Sequence, residues 1–227
     1  PTLATGRYMS GIQAWLDYLS SRWDLVATTL METLFYVVTV TIAASVVSIA
    51  IGVLTRRHAF PREFSLAIAS VFLTVPSLAL FTIFIPVVGL GFWPSFIALF
   101  LSAILPILRN TVTGLQSVDA SVVESARGMG MTRPQILLKV ELPLAWPVIL
   151  AGIRVSAMLT VGISAIATLV AGGGLGDFIK SGLARLPLPN SLEAIWTGVI
   201  LSLLLALAID STMRGLGRLT TSAGVRS

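Results

Sequence analysis

Cysteine is absent from all 227 residues, histidine occurs once, and charged side chains make up only 11% of the chain. Without thiols there is no disulfide staple and no Cys-ligated metal. The one histidine, His58, has no Cys, Asp or Glu partners at metal-ligand spacing, so it reads as a loop residue and no metal is expected. Nor can a Ser/His/Asp or Cys/His nucleophilic set be assembled. The glycine runs at 172–176 and 128–130 lack the following Lys-Ser/Thr of a phosphate loop, so the chain itself is not expected to hydrolyse ATP. A soluble domain carries about 25% charge. Here 56% of residues are hydrophobic, with a mean hydropathy of +0.94, which is more apolar surface than a water-soluble core can hide. The solvent is therefore lipid. The apolar runs are unbroken rather than alternating, which excludes a β-barrel and leaves membrane-spanning helices. The net charge of +5 comes from loops between apolar runs and is no nucleic-acid footprint. The first twenty residues are too polar for the apolar stretch of a signal peptide.

Five spans are expected, at about 25–54, 66–88, 95–108, 144–171 and 194–210. Residues 1–24 mix Trp15, Tyr18 and Trp23 with charges, which suits either a helix at the membrane surface or a disordered leader. Thr29, Glu32, Thr33, Tyr36, Thr41, Ser45 and Ser48 give the first span one polar face. Pro76 is expected to kink the second, with Thr74 and Ser77 satisfying the freed carbonyl. In the fourth, Gly152, Ser156, Thr160, Ser164, Thr168 and Gly172 recur every fourth position. Such a stripe lets helix backbones approach closely and places this helix centrally, either packed against a neighbour or lining a path. The glycines at 172–176 break that helix, and a loop carrying Lys180, Arg185, Pro187, Pro189 and Asn190 follows. A polar tail occupies 214–227.

Five spans put alternate loops on opposite sides. Arg56, Arg57, Arg62, Arg109, Arg127, Arg133, Lys139, Arg214, Arg218 and Arg226 fall on one side, and Arg7, Arg22, Lys180 and Arg185 on the other. The positive-inside rule makes the first side cytoplasmic, with the N-terminus outside and the C-terminus inside. Trp93 and Trp196 then lie at the outer interface and Trp146 near the inner one. The polar island at 119–143 becomes cytoplasmic. It reads as two short helices: Ser121-x-x-Glu124 fits a capping box, and Thr132 before Pro134 fits a second start. Gly128 and Gly130 permit a bend, and Leu142-Pro143 is expected to stop the second helix. Val123, Met129, Met131, Ile136, Leu137 and Leu138 supply an apolar face for a partner groove.

Glu124-Ser125-Ala126-x3-Gly130, nine residues, then Val140-x-Leu142-Pro143 resembles the EAA loop of ATP-binding-cassette importer permeases, departing from it mildly at Ser125 and Val140. Residues 74–80, 105–111, 124–131 and 172–179 look like the osmoprotectant permeases, and the resemblance covers about 25–210. It implies an all-α membrane protein of the type I ABC importer (MetI-like) permease fold, in a prokaryotic plasma or inner membrane. It further implies a second permease subunit, two ATPase subunits that bind ATP and Mg, and an extracytoplasmic binding protein, with no cofactor on this chain. The solutes would be glycine betaine, choline, carnitine or proline betaine. Glu124, Ser125, Ala126, Gly128, Gly130, Val140, Leu142 and Pro143 would be the ATPase-coupling positions. A permease for another solute such as methionine, or a self-contained channel or ion-driven carrier, is the alternative. A carrier would need buried coupling charges or paired inverted halves, and neither is visible.

Arg154 is the formal charge inside the fourth span. It serves either as a gate, as a structural partner of Glu141, Asp119 or Asp210, or as a side chain that snorkels to the inner interface. A quaternary ammonium group binds aromatic faces, and Phe72, Phe81, Phe84, Phe92 and Phe178 are candidates by type; the alternative is that they are lipid-facing or core residues, and the resemblance implies that selection lies mainly in the separate binding protein. A path that only funnels would be lined by Ser156, Thr160 and Ser164.

Overall fold

The computed structural model describes residues 2–170 and 172–220, with side chains from residue 11 onward. Arg7's side chain, Ala171, Arg226 and the rest of the tail beyond 220 lie outside the described residues. Every regular element among these is helical. In order they are α1 (Thr2–Ser21), α2 (Trp23–Thr55), α3 (Ala59–Thr74), α4 (Ser77–Val88), α5 (Phe92–Gln116), α6 (Ala120–Gly128) and α7 (Arg133–Ile136). A π-turn (Leu137–Glu141), α8 (Leu142–Ala167), a 3-10 turn (Thr168–Val170), α9 (Gly176–Ala184) and α10 (Ser191–Thr220) follow within the described residues. Among the described residues, four helical stretches are long and apolar enough to cross a membrane, or five when α3 and α4 count as one broken span.

Several boundaries differ from the sequence expectation. At Pro76 the helix ends outright and restarts at Ser77. Proline pushes the preceding residue out of the helical region, and Val75 is extended at φ −67°, ψ 129°. The Thr74 hydroxyl donates to the Val71 carbonyl, which the Val75 N–H already serves. Of the loop expected after the glycine break, Lys180 lies in α9, whereas Arg185, Pro187, Pro189 and Asn190 do form the loop that leads to α10. Helix α9 buries Phe178 and Gly182, four residues apart, and a single inward face on a nine-residue helix is a weak sequence signal. The helix expected to stop at 210 continues to Thr220.

The chain divides into two compact units. One takes residues up to 38, 77–98 and 161–207. Its core gathers Tyr18, Val26, Phe178 and Ala194, with Leu19 and Leu201 packed on them. The glycine loop closes on α2 there: the Gly174 N–H donates to Glu32 Oε2 and the Leu175 N–H to Thr33 Oγ1, each at 2.8 Å. The other unit takes 39–76, 99–160 and residues from 208 on. Its core gathers Ala69, Leu105, Leu108 and Val112 under Ile51, Leu66 and Ile104.

Residues Gly152, Ser156, Thr160, Ser164 and Thr168 are all buried. In the second unit the reason is contact with α5. A Cβ on Gly152 would lie 2.6 Å from the Asn110 Cβ and 2.8 Å from the Pro106 carbonyl, and Ser156 Oγ donates to the Ala103 carbonyl at 3.0 Å. Thr160, Ser164 and Thr168 return their hydroxyls to carbonyls of their own helix or turn. Small side chains with internally satisfied hydroxyls are what close helix packing in lipid requires. Phe35, Val38, Ile42 and Val46, by contrast, form an exposed apolar stripe along α2, as an outer surface in lipid would be.

Candidate coupling site

The island at 119–143 is built by three local devices. The first is an N-cap. Asp119, not Ser121, starts α6: Asp119 Oδ1 accepts from the Ser121 N–H at 2.8 Å. The capping box read from Ser121 and Glu124 is therefore corrected. Ser121 already lies inside the helix, and its hydroxyl neighbour Ser125 donates back to the Ser121 carbonyl. The Ser121 N–H, with the Ser121 hydroxyl adding to it, holds the Asp119 carboxyl below its ordinary value.

The second device is a Schellman end. The Gly130 N–H donates to the Arg127 carbonyl at 2.9 Å and the Met131 N–H to the Ala126 carbonyl at 3.2 Å. This requires a left-handed residue, and Gly130 has φ +81°. Gly128 stays helical, so the bend belongs to Gly130 alone. The motif's Ala126 is 2% exposed, and a larger side chain has no room there, while Glu124 on the same helix is exposed.

The third device is a reversed start. Thr132 caps α7, its N–H donating to Gln135 Oε1 at 2.8 Å, with Pro134 in the first turn. Leu142-Pro143 does not stop the helix, contrary to the sequence expectation. The chain runs unbroken from Arg133 to Val170. The π-turn at Leu137–Glu141, closed by the Leu142 N–H on the Leu137 carbonyl, widens the backbone ahead of Pro143. A wide turn accommodates a ring that an α-turn would reject.

A groove of about 330 Å³ opens between Leu115, Val118, Ala120, Val123, Glu124, Arg127 and Glu141. Glu141 is tied by an ion pair, Arg56 Nε to Glu141 Oε2 at 3.2 Å. Glu124 makes no hydrogen bond or ion pair among the described residues. Of the apolar face read from the sequence, Met129 and Leu138 are exposed, at 76% and 64%, whereas Ile136 is buried within the chain and holds the island down. Ser125 is exposed, Val140 half-buried, Leu142 half-buried and Pro143 exposed. The island thus offers an exposed anion, an exposed thioether and a shallow groove on a rigidly capped helix pair.

Arg154 pairs with Asp210 of α10, which also takes Arg214 one turn on. Asp210 is buried while Arg154 is partly exposed, and the one carboxylate is shared by two guanidiniums in the second unit. Of the partners considered for Arg154, the structure selects Asp210.

The family of binding-protein-dependent transport system inner membrane components matches residues 44–221, most of the chain and all of the island. The chain belongs to that family. This permease is 40% identical over 193 residues to the carnitine transport permease protein OpuCB of Listeria monocytogenes, covering 85% of this chain and 87% of that one. It is 41% identical over 180 residues to the choline transport system permease protein OpuBB of Bacillus subtilis strain 168, covering 79% and 81%. It is 33% identical to the osmoprotectant import permease protein OsmW of Salmonella typhimurium, over 93% and 99%. Among solved structures, the inward-facing MetNI methionine ABC transporter superposes with a TM-score of 0.77 at 26% identity, over 89% of this chain and 99% of that one. An amino acid ABC transporter bearing histidines shares the fold at 0.69 and 18% identity. The permease is an all-helical, multi-pass inner-membrane protein of the type I importer fold.

Proposed function

We propose that this permease is the transmembrane subunit of an ATP-driven importer for quaternary ammonium osmoprotectants such as glycine betaine, choline and carnitine. The observation that carries the reading is the likeness to carnitine and choline permeases at 40–41% identity over about four-fifths of the chain. The methionine transporter matches the fold at only 26% identity. ATP is hydrolysed on two partner ATPases, which grip the island of each of two permease subunits, and a binding protein delivers solute on the opposite side. Glu124 supports this reading, because it is exposed and has no cap to make: Asp119 holds that office. The apolar rim of Met129 and Leu138 suits a protein groove better than water. The orientation follows the arginine excess, with the island and C-terminus cytoplasmic.

The test is uptake of labelled glycine betaine, choline, carnitine and methionine into vesicles holding the whole assembly, with and without ATP. ATP-dependent uptake of the quaternary ammonium solutes is the expected result. Uptake of methionine alone, or uptake independent of ATP, overturns the reading. Because the chain has no native cysteine, Lys139→Cys and Arg185→Cys report sidedness cleanly. An impermeant maleimide added outside intact cells should label Arg185→Cys and spare Lys139→Cys.

A further inference from the structure

The first unit holds a cavity of about 170 Å³ where the junction of α1 and α2 meets α9. Tyr18 and Phe178 form its apolar side. Both are buried, and their rings meet edge to face, with centroids 6.5 Å apart at an interplanar angle of 72°. The remaining side is polar. Arg22 enters it from the helix junction, and Asp177, Ser181 and Arg185 enter from α9 and its C-cap. The Arg22 guanidinium lies over the Tyr18 ring, 4.7 Å from its centroid, a contact that holds a long side chain in one place.

The charges of this cavity do not cancel. Neither Arg22 nor Arg185 forms an ion pair among the described residues. Asp177 is the carboxylate that lines the space with them. Burial pushes the Asp177 carboxyl up from its ordinary value, and the cation that draws it down is Lys180 of the same helix, with Glu32 opposing. Asp177 therefore answers to Lys180, and two guanidiniums are left facing one small space. The Ser181 and Thr29 hydroxyls donate to carbonyls of their own helices. The free donors of the cavity are the guanidinium N–H groups.

A guanidinium fork matches the two oxygens of a carboxylate. The solute is a poor source of that group. The solutes proposed above share a quaternary ammonium, choline has no carboxylate, and a cationic cavity repels the ammonium. A protein side chain is the better source. Transport in this family depends on a binding protein, and both arginines fall on the side read above as extracytoplasmic. The chain beside them has the makeup of an interface. Trp23, Leu183, Leu186 and Leu188 are exposed, and the Leu188 N–H donates to the Arg185 carbonyl at 2.7 Å, which folds the loop back onto the end of α9. Arginine and tryptophan are enriched among the side chains that carry binding energy at protein interfaces. We propose that Arg22 and Arg185 clamp an aspartate or glutamate side chain of the extracytoplasmic binding protein, so that loaded binding protein seats on the permease at this cavity. The proposal rests on the importer reading and adds to it the contact through which solute arrives.

The test is ATP-driven uptake into vesicles holding the full assembly, with its binding protein titrated in, loaded with choline or with glycine betaine. Arg22→Gln and Arg185→Gln should each raise the half-saturating concentration of binding protein about fivefold, and the double variant about twentyfold, with the maximal rate kept. The two solutes should respond alike. The wild-type value should also rise more steeply with added salt than the double variant's, because screening weakens the contact that the variant has lost. An unchanged half-saturating concentration in the double variant overturns the inference. A loss confined to glycine betaine overturns it too, since the carboxylate would then be the solute's. A lower maximal rate at an unchanged half-saturating concentration does the same, and leaves the arginines to the fold or to lipid phosphate. Should Arg22→Gln lower the amount of assembled complex, Arg185→Glu at the exposed end of α9 serves alone. It should raise the half-saturating concentration about tenfold or more, and no change overturns the inference. Wild-type uptake that needs no binding protein overturns the importer reading and this one with it.

Discussion

The bend at Gly130 and the bend at Gly173–Gly174 use the same backbone device for opposite ends. Each places glycine in the left-handed region, at φ +81° in the island and +74° and +94° in the glycine loop. Around Gly130 an added Cβ would meet nothing within 4 Å, whereas at Gly174 it would lie 2.7 Å from Thr33 Oγ1. The island's bend is a conformational requirement on an open surface. The loop's bend is that requirement together with a contact. A surface that must dock a moving partner is shaped from within and left bare outside; one that must hold a carboxylate still is fastened to it.

The largest effect that tests this contrast is Gly174→Val. Left-handed strain and a clash with Thr33 act together there, costing about 2–4 kcal/mol. The amount of monodisperse protein in detergent and its melting temperature should both drop sharply. Gly130→Asp, by comparison, carries only the backbone term, about 1 kcal/mol. Its yield should stay near wild type while ATP-driven uptake is lost. If Gly130→Asp melts as early as Gly174→Val, the two bends do not differ in kind. If it transports normally, the docking role of the island fails.

Next in size is Asp210→Ala in the second unit. It leaves Arg154 and Arg214 without their shared carboxylate. Removing one partner of a partly buried pair costs about 2 kcal/mol or more. The expected result is a lower melting temperature, with coupling of the surviving protein intact. Arg154→Ala should do less, since Asp210 keeps Arg214. A change in ATPase coupling without loss of folded protein would restore a gate role to Arg154.

Much of this architecture was legible in the sequence because lipid enforces simple rules. Apolar length marks spans, small residues at fourth positions mark close packing, and arginines mark loops. The Glu124–Pro143 spacing identified the island, and Thr132 and Pro134 marked the start of α7. What could not be read was set by competition between local signals. Asp119 and Ser121 are both good caps, and only geometry shows that Asp119 takes the place. Leu142-Pro143 reads as a stop, yet the π-turn before it lets the helix run on; such turns have no strong sequence signature. Glu32 looked like one polar residue on a polar face. Its meeting with Gly173 and Gly174, some 140 positions away, is a tertiary fact no local pattern contains.

The smallest effect concerns the cap on α6, and it separates the island from the glycine loop by pH. Asp119 has a folded-state pKa below the ordinary carboxylate value, because its anion accepts from the Ser121 N–H. A carboxylate depressed in this way stabilises the fold fully above its unfolded pKa of about 4. That stabilisation fades as pH falls through the folded value, where the protonated form loses its acceptor strength. The residue is exposed, so the effect is local to the island. Amide exchange at Val122 and Val123, whose N–H groups donate to the Asp119 carbonyl, should therefore show less protection at pH 3.5 than at pH 6, after correction for intrinsic rates. Asparagine caps nearly as well as aspartate but does not titrate in this range. Asp119→Asn should hold the same protection at both pH values, while amides of α9 behave alike in both proteins. A pH dependence that survives Asp119→Asn would place the titrating group elsewhere and leave the cap as a neutral feature of the island.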